Sequence, residues 1–200
     1  RPRRWEAWDI DAEYEEKAEL IAEPAEKSRI VEAGPLRGVI EVSRPLGRAS
    51  HITQQFILTA GSPRLDIRTR VDWREERKLL RVLFPVDVRA RTATGGIQFG
   101  HLERATHRNT RWERARFEFC THGWLDLSEP GFGFALLSVG IFGHSCHHHV
   151  LGLSLLRGPR SPDPQADIGV GDFTYSLLPH QGDWRAANVD REAEALRAPL

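Results

Sequence analysis

The sequence predicts an all-β fold, a large antiparallel β-sandwich behind an irregular or short-helical N-terminal connector. Three observations carry that reading. Residues 64–74, RLDIRTRVDWR, alternate without a break, Leu65, Ile67, Thr69, Val71 and Trp73 against Asp66, Arg68, Arg70, Asp72 and Arg74. This is the period of a strand with one buried and one wet face. The same period recurs in HITQQFILT at 51–59, where Ile52, Phe56 and Leu58 share a face, and in ARFEFC at 115–120, where Phe117 and Phe119 do. Gly, Pro, Asn and Asp mark most of the gaps, which is the spacing of a sandwich or barrel rather than of βαβ units.

In chain order, residues 1–27 are highly charged with Trp5, Trp8 and Tyr14 scattered among them, and Pro24 stops any helix begun at Glu13. They read as a connector from upstream domains, and residues 28–200 as the β-domain. Further strands are expected at about 36–44, 78–84, 95–99, 131–137, 150–157 and 172–178. The stretch 161–172, SPDPQADIGVGD, holds two prolines and two glycines and reads as a surface loop.

A chain of 200 residues suits one domain with a real core, and 40% hydrophobic with 28% charged residues excludes disorder as the whole story. The 28 basic residues balance 28 acidic ones, leaving no net field to attract nucleic acid or an anionic membrane. No run approaches the roughly 20 apolar residues of a membrane helix, and RPRRWEAWDID lacks the apolar stretch of a signal peptide, so a soluble cytoplasmic protein is expected. Methionine is absent throughout, which suggests a piece of a longer protein. Cys120 and Cys146 fall outside any CxxC spacing and read as free buried thiols.

Several clusters are candidates for chemistry. His144, Cys146, His147, His148 and His149 offer zinc-type ligands, but consecutive histidines on a strand alternate faces, so only His147 and His149 could converge. An exposed turn is the preferred reading. FGHLERATHRNT at 99–110 packs His101, Glu103, Arg104, His107, Arg108 and Asn109 into what reads as a loop, and a glutamate among histidines suits acid or base work. Ser128 or Ser154 could pair with a histidine, but no GxSxG elbow is present. Trp5, Trp8, Trp112 and Trp184 lie in loop-like contexts where a ring could serve as a sugar platform or as packing. Arg157 continues the face of Leu151, Leu153 and Leu155, so it either emerges at a rim or meets a carboxylate or polar ligand.

Four strings in register, FGHLERATHRNT, WLDLSEPGFGFALL, LSLLRGPRSPDPQAD and FTYSLLPHQGDW, together with WEAWDID, EAGPLRGVIEV and ALRAPL, carry a resemblance over nearly the whole chain. The chain resembles the C-terminal β-domain of glycoside hydrolase family 38 α-mannosidases, of the cytosolic subgroup. The resemblance implies a mutarotase-like supersandwich that follows a catalytic α/β domain and a three-helix bundle. It also implies a retaining glycosidase releasing terminal α-linked mannose, with the carboxylates and the zinc on the catalytic domain and none of them in this chain. Arg157 in LSLLRGP matches an arginine that in the family reaches into the substrate cleft, and residues 101–109 would then face the catalytic domain. The implied partners are the chain's own catalytic and helical domains and mannosides; nucleic acid and membrane are not among them. The pattern departs at Ser138 and Val139, where the subgroup carries Asn-Asp. Rival readings are a free-standing carbohydrate-binding module and an aldose-epimerase-like sandwich using His101 and Glu103.

Overall fold

A computed structural model describes residues 7–21 and 24–198. The all-β antiparallel architecture is what forms, in two sheets of nine and four strands. Trp5 lies outside the described residues. The chain divides into two compact units, residues 1–60, 67–80 and 155–173, and residues 61–66, 81–154 and 174–200.

In the first unit a 3-10 turn, Tyr14–Lys17, precedes β1 (Lys27–Ala33), β2 (Arg37–Leu46), β3 (Ser50–Thr59) and β4 (Leu65–Trp73), the four strands hydrogen-bonded in that order. The alternation of β4 is realised as read, with Ile67, Thr69, Val71 and Trp73 buried while Arg68, Arg70 and Arg74 are exposed. In β3 the buried set differs from the expectation. Ile52 is buried, but Leu58 is 60% exposed and Ile57 is covered instead. Ile57 lies opposite Val39, itself buried, so at this end of the twisted ribbon it is the other face that is covered.

The second unit contains most of β5 (Leu80–Pro85), β6 (Thr92–Ile97), β7 (Gly100–Ala105), α1 (Arg111–Ala115), β8 (Phe119–Cys120), β9 (Trp124–Glu129), β10 (Phe132–Val139), β11 (Gly143–His147), most of β12 (Val150–Leu156), most of β13 (Gly169–Gln181) and α2 (Val189–Arg197). Its strands run β13-β10-β9-β6-β7 in one layer and β5-β12-β11-β8 in the other. The layers face each other: the rings of Phe84 and Tyr175 have centroids 6.1 Å apart. Between them Leu125, Leu127, Leu136, Leu151, Leu153 and Tyr175 are fully buried, each aliphatic chain contributing about 1.5–3 kcal/mol. On the reverse face of β9, β10 and β13, Trp124, Ala135, Leu137 and Leu178 pack against Val189 and Ala193 of α2. Arg64 ties that helix down by donating to the Glu192 carbonyl at 3.0 Å and carboxylate at 2.8 Å. No helix among the described residues is long and apolar enough to cross a membrane.

Four local expectations are corrected. Residues 100–105 form strand β7, not loop, because they pair with β6 from Thr92↔Ala105 to Ile97↔Gly100. Phe117 is not in a strand: only Phe119 and Cys120 are, since the preceding segment winds into α1 behind a capping box. Strand β13 starts at Gly169, so Val170, Gly171 and Asp172 belong to it and the loop ends at Ile168. Cys120 is exposed; Cys146 is buried, and burial pushes its thiol up to about 12.

Candidate functional site

Strand β12 buries Leu151, Leu153, Leu155 and Leu156, and simple continuation would carry Arg157 onto the face of Leu155. It does not continue. The N–H groups of Arg157 and Gly158 both donate to one oxygen, Oδ2 of Asp167, at 2.8 and 2.9 Å. The strand therefore ends at Leu156, and Arg157 stands half-buried just beyond it.

Gly158 is the only residue type that fits its place. Its φ is +57°, and a Cβ there would lie 2.4 Å from the Glu75 carbonyl oxygen and 2.7 Å from Nε1 of Trp73. The Gly158 carbonyl in turn accepts from the Arg77 N–H at 2.7 Å, and Arg160 pairs with Glu76 at 3.5 Å. The seat itself is braced. Glu75 accepts from the N–H groups of Arg48 at 2.6 Å and Ala49 at 3.0 Å in the turn between β2 and β3, and from the Lys78 ammonium at 2.7 Å. Burial opposes ionisation of this carboxyl, but Lys78 and the two backbone donors outweigh it and hold its pKa below the ordinary glutamate range. A permanently charged guanidinium on so fixed a backbone can donate to hydroxyl or carboxylate oxygens.

The charged residues at 101–109 are not brought together in one constellation. His101 packs on Trp184 with centroids 4.8 Å apart, and its Nε2 lies 3.2 Å from Arg185. Glu103 is exposed on β7, and the Arg104 guanidinium sits 5.8 Å from the Phe119 ring centroid. His107 approaches Glu113 at 3.3 Å, Arg108 offers its carbonyl to Arg114 at 3.2 Å, and Asn109 is exposed. Trp112 lies on α1, 78% exposed, and Trp8 is 75% exposed. Trp184 is flanked by Trp124, His101 and Arg185, which leaves its ring poorly placed as a sugar platform.

The histidine run divides. His144 is fully buried on β11: its Nδ1 lies 3.1 Å from the Phe142 carbonyl, which can only accept, so that nitrogen carries the proton and Nε2 faces the Ser138 hydroxyl at 3.3 Å. Burial pushes its pKa down to about 4, with the nearby Arg81 charge acting in the same direction and the Phe142 bond against it. The Ser138 hydroxyl also lies 3.2 Å from the Ile141 carbonyl, and its single proton serves one of these two acceptors, so the turn at 138–141 is closed by its own side chain. The His147 and His148 rings lie 4.3 Å apart, and His148 occupies a turn at φ +53°. Among the described residues no three His, Cys, Asp or Glu side chains come together as metal ligands.

Sequence reasoning missed Asp167, Glu75 and a buried pair, Asp126 with His180 at 2.7 Å. Ser128 joins that pair by donating to Asp126 at 2.5 Å. Ser154 donates to Glu118. No local pattern marks these residues, since each meets its partner across more than 25 residues or through a loop. The exceptions are Ser128, two residues from Asp126, and Glu75 in its pairing with Lys78, three residues on.

Residues 1–165 match the family described as glycosyl hydrolases family 38 C-terminal domain. Over 199 residues the chain is 42% identical to Alpha-mannosidase 2C1 of Homo sapiens, covering 100% of this chain and 19% of that protein. With Alpha-mannosidase G of Dictyostelium discoideum it shares 46% over 197 residues, covering 96% of this chain and 18% of that one. The crystal structure of an alpha-mannosidase from Enterococcus faecalis V583 superposes with a TM-score of 0.76 over 84% of this chain and 24% of that chain, at 14% identity, a likeness of fold. The chain thus spans about a fifth of the length of the curated relatives it matches, and it belongs to the glycosyl hydrolase family 38 C-terminal domain family.

Proposed function

We propose that this chain is the C-terminal β-domain of an α-mannosidase that releases terminal α-linked mannose with retention, and that it supplies scaffold, an interface to the rest of the longer protein, and one substrate-facing arginine, Arg157. The observation that carries the reading is the match over essentially the whole chain to proteins named α-mannosidases. The nucleophile, the acid/base carboxylate and the zinc that binds sugar hydroxyls belong, in this reading, to the catalytic part of the longer protein. A cytoplasmic location follows from the resemblance to the cytosolic subgroup.

Two features support the assigned roles. Arg157 stands on a backbone fixed by Asp167 and Gly158, as a cleft-reaching donor requires. Ile30, Ile40 and Leu58 are 72%, 51% and 60% exposed, Ile30 opposite Ile40 across β1 and β2. Contiguous exposed apolar surface of this kind suits contact with another part of a longer chain. His101, Glu103, Arg104, His107, Arg108 and Asn109 stand in the same reading as polar residues turned toward the catalytic domain.

The test is direct. In the longer protein, Arg157→Ala should raise KM for an aryl α-mannoside by roughly 10- to 100-fold, the range for loss of a hydrogen bond from a charged donor, with Arg157→Lys recovering part of it. Unchanged kinetics in the folded Arg157→Ala protein would remove the arginine from the reading, and robust mannoside turnover by the isolated 200-residue chain would remove the reading itself.

A further inference from the structure

We propose that Asp167 is a positioning residue for Arg157, a latch that sets the direction in which the guanidinium leaves the sheet. The inference rests on the reading of Arg157 as substrate-facing. Its geometry stands independently. One carboxylate oxygen receives two consecutive backbone N–H groups, those of Arg157 and Gly158, at 2.8 and 2.9 Å.

Two peptide planes that point their N–H bonds at a single atom cannot rotate separately, so the Cα–Cβ direction of the residue between them is fixed. That residue is Arg157. Its side chain has four rotatable bonds, and a small swing at Cα becomes a large displacement at the guanidinium. In a catalytic cleft, misplacement by about 1 Å can cost about 100-fold in rate.

The opposite side of the same segment is closed by Gly158, seated against the Glu75 carbonyl and Trp73, with its own carbonyl held by Arg77. The segment is thus clamped between a carboxylate and a rigid seat. Asp167 itself adopts φ +64°, a conformation Asp and Asn tolerate better than other side chains, so the position fits an acceptor on a short stem. The loop from Pro159 to Ala166 contains three prolines, which limits the slack between latch and arginine. Removing the acceptor leaves the two N–H groups to water and releases the backbone on one side only. The expected result is a misdirected arginine on a folded domain.

The experiment is a kinetic cycle in the longer protein with 4-nitrophenyl α-mannoside, each variant checked for its thermal transition. Asp167→Ala should reproduce the KM rise of Arg157→Ala to within roughly threefold, while Asp167→Asn, which keeps one oxygen able to accept both bonds, should stay near wild type. In the Arg157→Ala background, Asp167→Ala should add nothing further, because there is no guanidinium left to aim. If Arg157→Ala is itself silent, the reading of the arginine falls and the latch with it. If Arg157→Ala is impaired while Asp167→Ala behaves as wild type, or if the two losses multiply, the arginine stands and the latch is overturned. Should Asp167→Ala fail to fold, Asp167→Ser decides, since its shorter hydroxyl cannot span both amides: equal KM for Asp167→Ser and Asp167→Asn overturns the proposal, and a rise confined to Asp167→Ser supports it.

Discussion

After β12, two backbone N–H groups converge on one carboxylate oxygen and a glycine seats against a carbonyl. From β7 into α1, His101, Arg104, His107 and Arg108 each find a different neighbour, while Glu103 and Asn109 face outward. The second segment carries more charge; the first carries more constraint. Preorganisation comes from donors that share an acceptor on packed backbone, and clustered charge on an edge strand does not produce it.

The widest expected difference between the segments is at their glycines. Gly158→Ala places a methyl group 2.4 Å from the Glu75 carbonyl at φ +57°. Left-handed backbone costs a non-glycine residue about 1–2 kcal/mol, and overpacking against backbone that cannot yield about 1–3 more. Gly100→Ala on β7 meets nothing within 4 Å, so it should be neutral or stabilise by up to about 1 kcal/mol. Urea unfolding of the two variants measures the contrast, and equal midpoints would erase it.

The next effect is acid sensitivity at the seat. A carboxyl whose folded pKa is lowered contributes stability above its unfolded value, about 4.3 for glutamate, and loses it as pH falls through the folded value. Glu75 therefore governs the lowest part of a stability curve. His144 governs the part above: between 6.5 and about 4 the unfolded chain binds a proton that the buried ring refuses, so stability falls as pH drops, by about 3 kcal/mol at about 1.4 per pKa unit. Glu75→Gln should flatten only the lower limb and cost about 1–3 kcal/mol at neutral pH, as two backbone donors lose a charged acceptor. A lower limb left unchanged by Glu75→Gln would mean that the seat does not depend on that carboxylate.

How far the sequence could foretell this varies by element. Strand β4 was legible because one face is buried from Ile67 to Trp73, so burial follows parity there. Strand β3 was only half legible: the covered face changes along the ribbon, and Ile57 rather than Leu58 is buried, which a period of two cannot express. Dense charge at 100–105 suggested loop, yet an edge strand needs only one partner and tolerates charge on both faces. Arg157 drew attention as an arginine on an apolar register, but Asp167 had no such mark, because its role is to receive main-chain bonds from ten residues earlier. One signal was present and not used. Thr110-Arg-Trp-Glu113 is the capping-box spacing, and it is what turns the chain into α1.

That box supplies the smallest effect and the cleanest control. Thr110 accepts from the Glu113 N–H at 3.2 Å, and the Glu113 carboxylate accepts from the Thr110 N–H at 2.8 Å. Both residues serve a five-residue helix with no buried residue, so little packing depends on its start. Thr110→Ala should cost about 0.5–1 kcal/mol, toward the lower end of the range for caps, because the freed N–H can turn to water. Mannoside KM in the longer protein should not move, whereas substitutions at 157, 158 or 167 should move it. A kinetic change in Thr110→Ala as large as in those variants would show that the charged segment is positioned for substrate after all, and that the contrast between constraint and charge has been drawn at the wrong place.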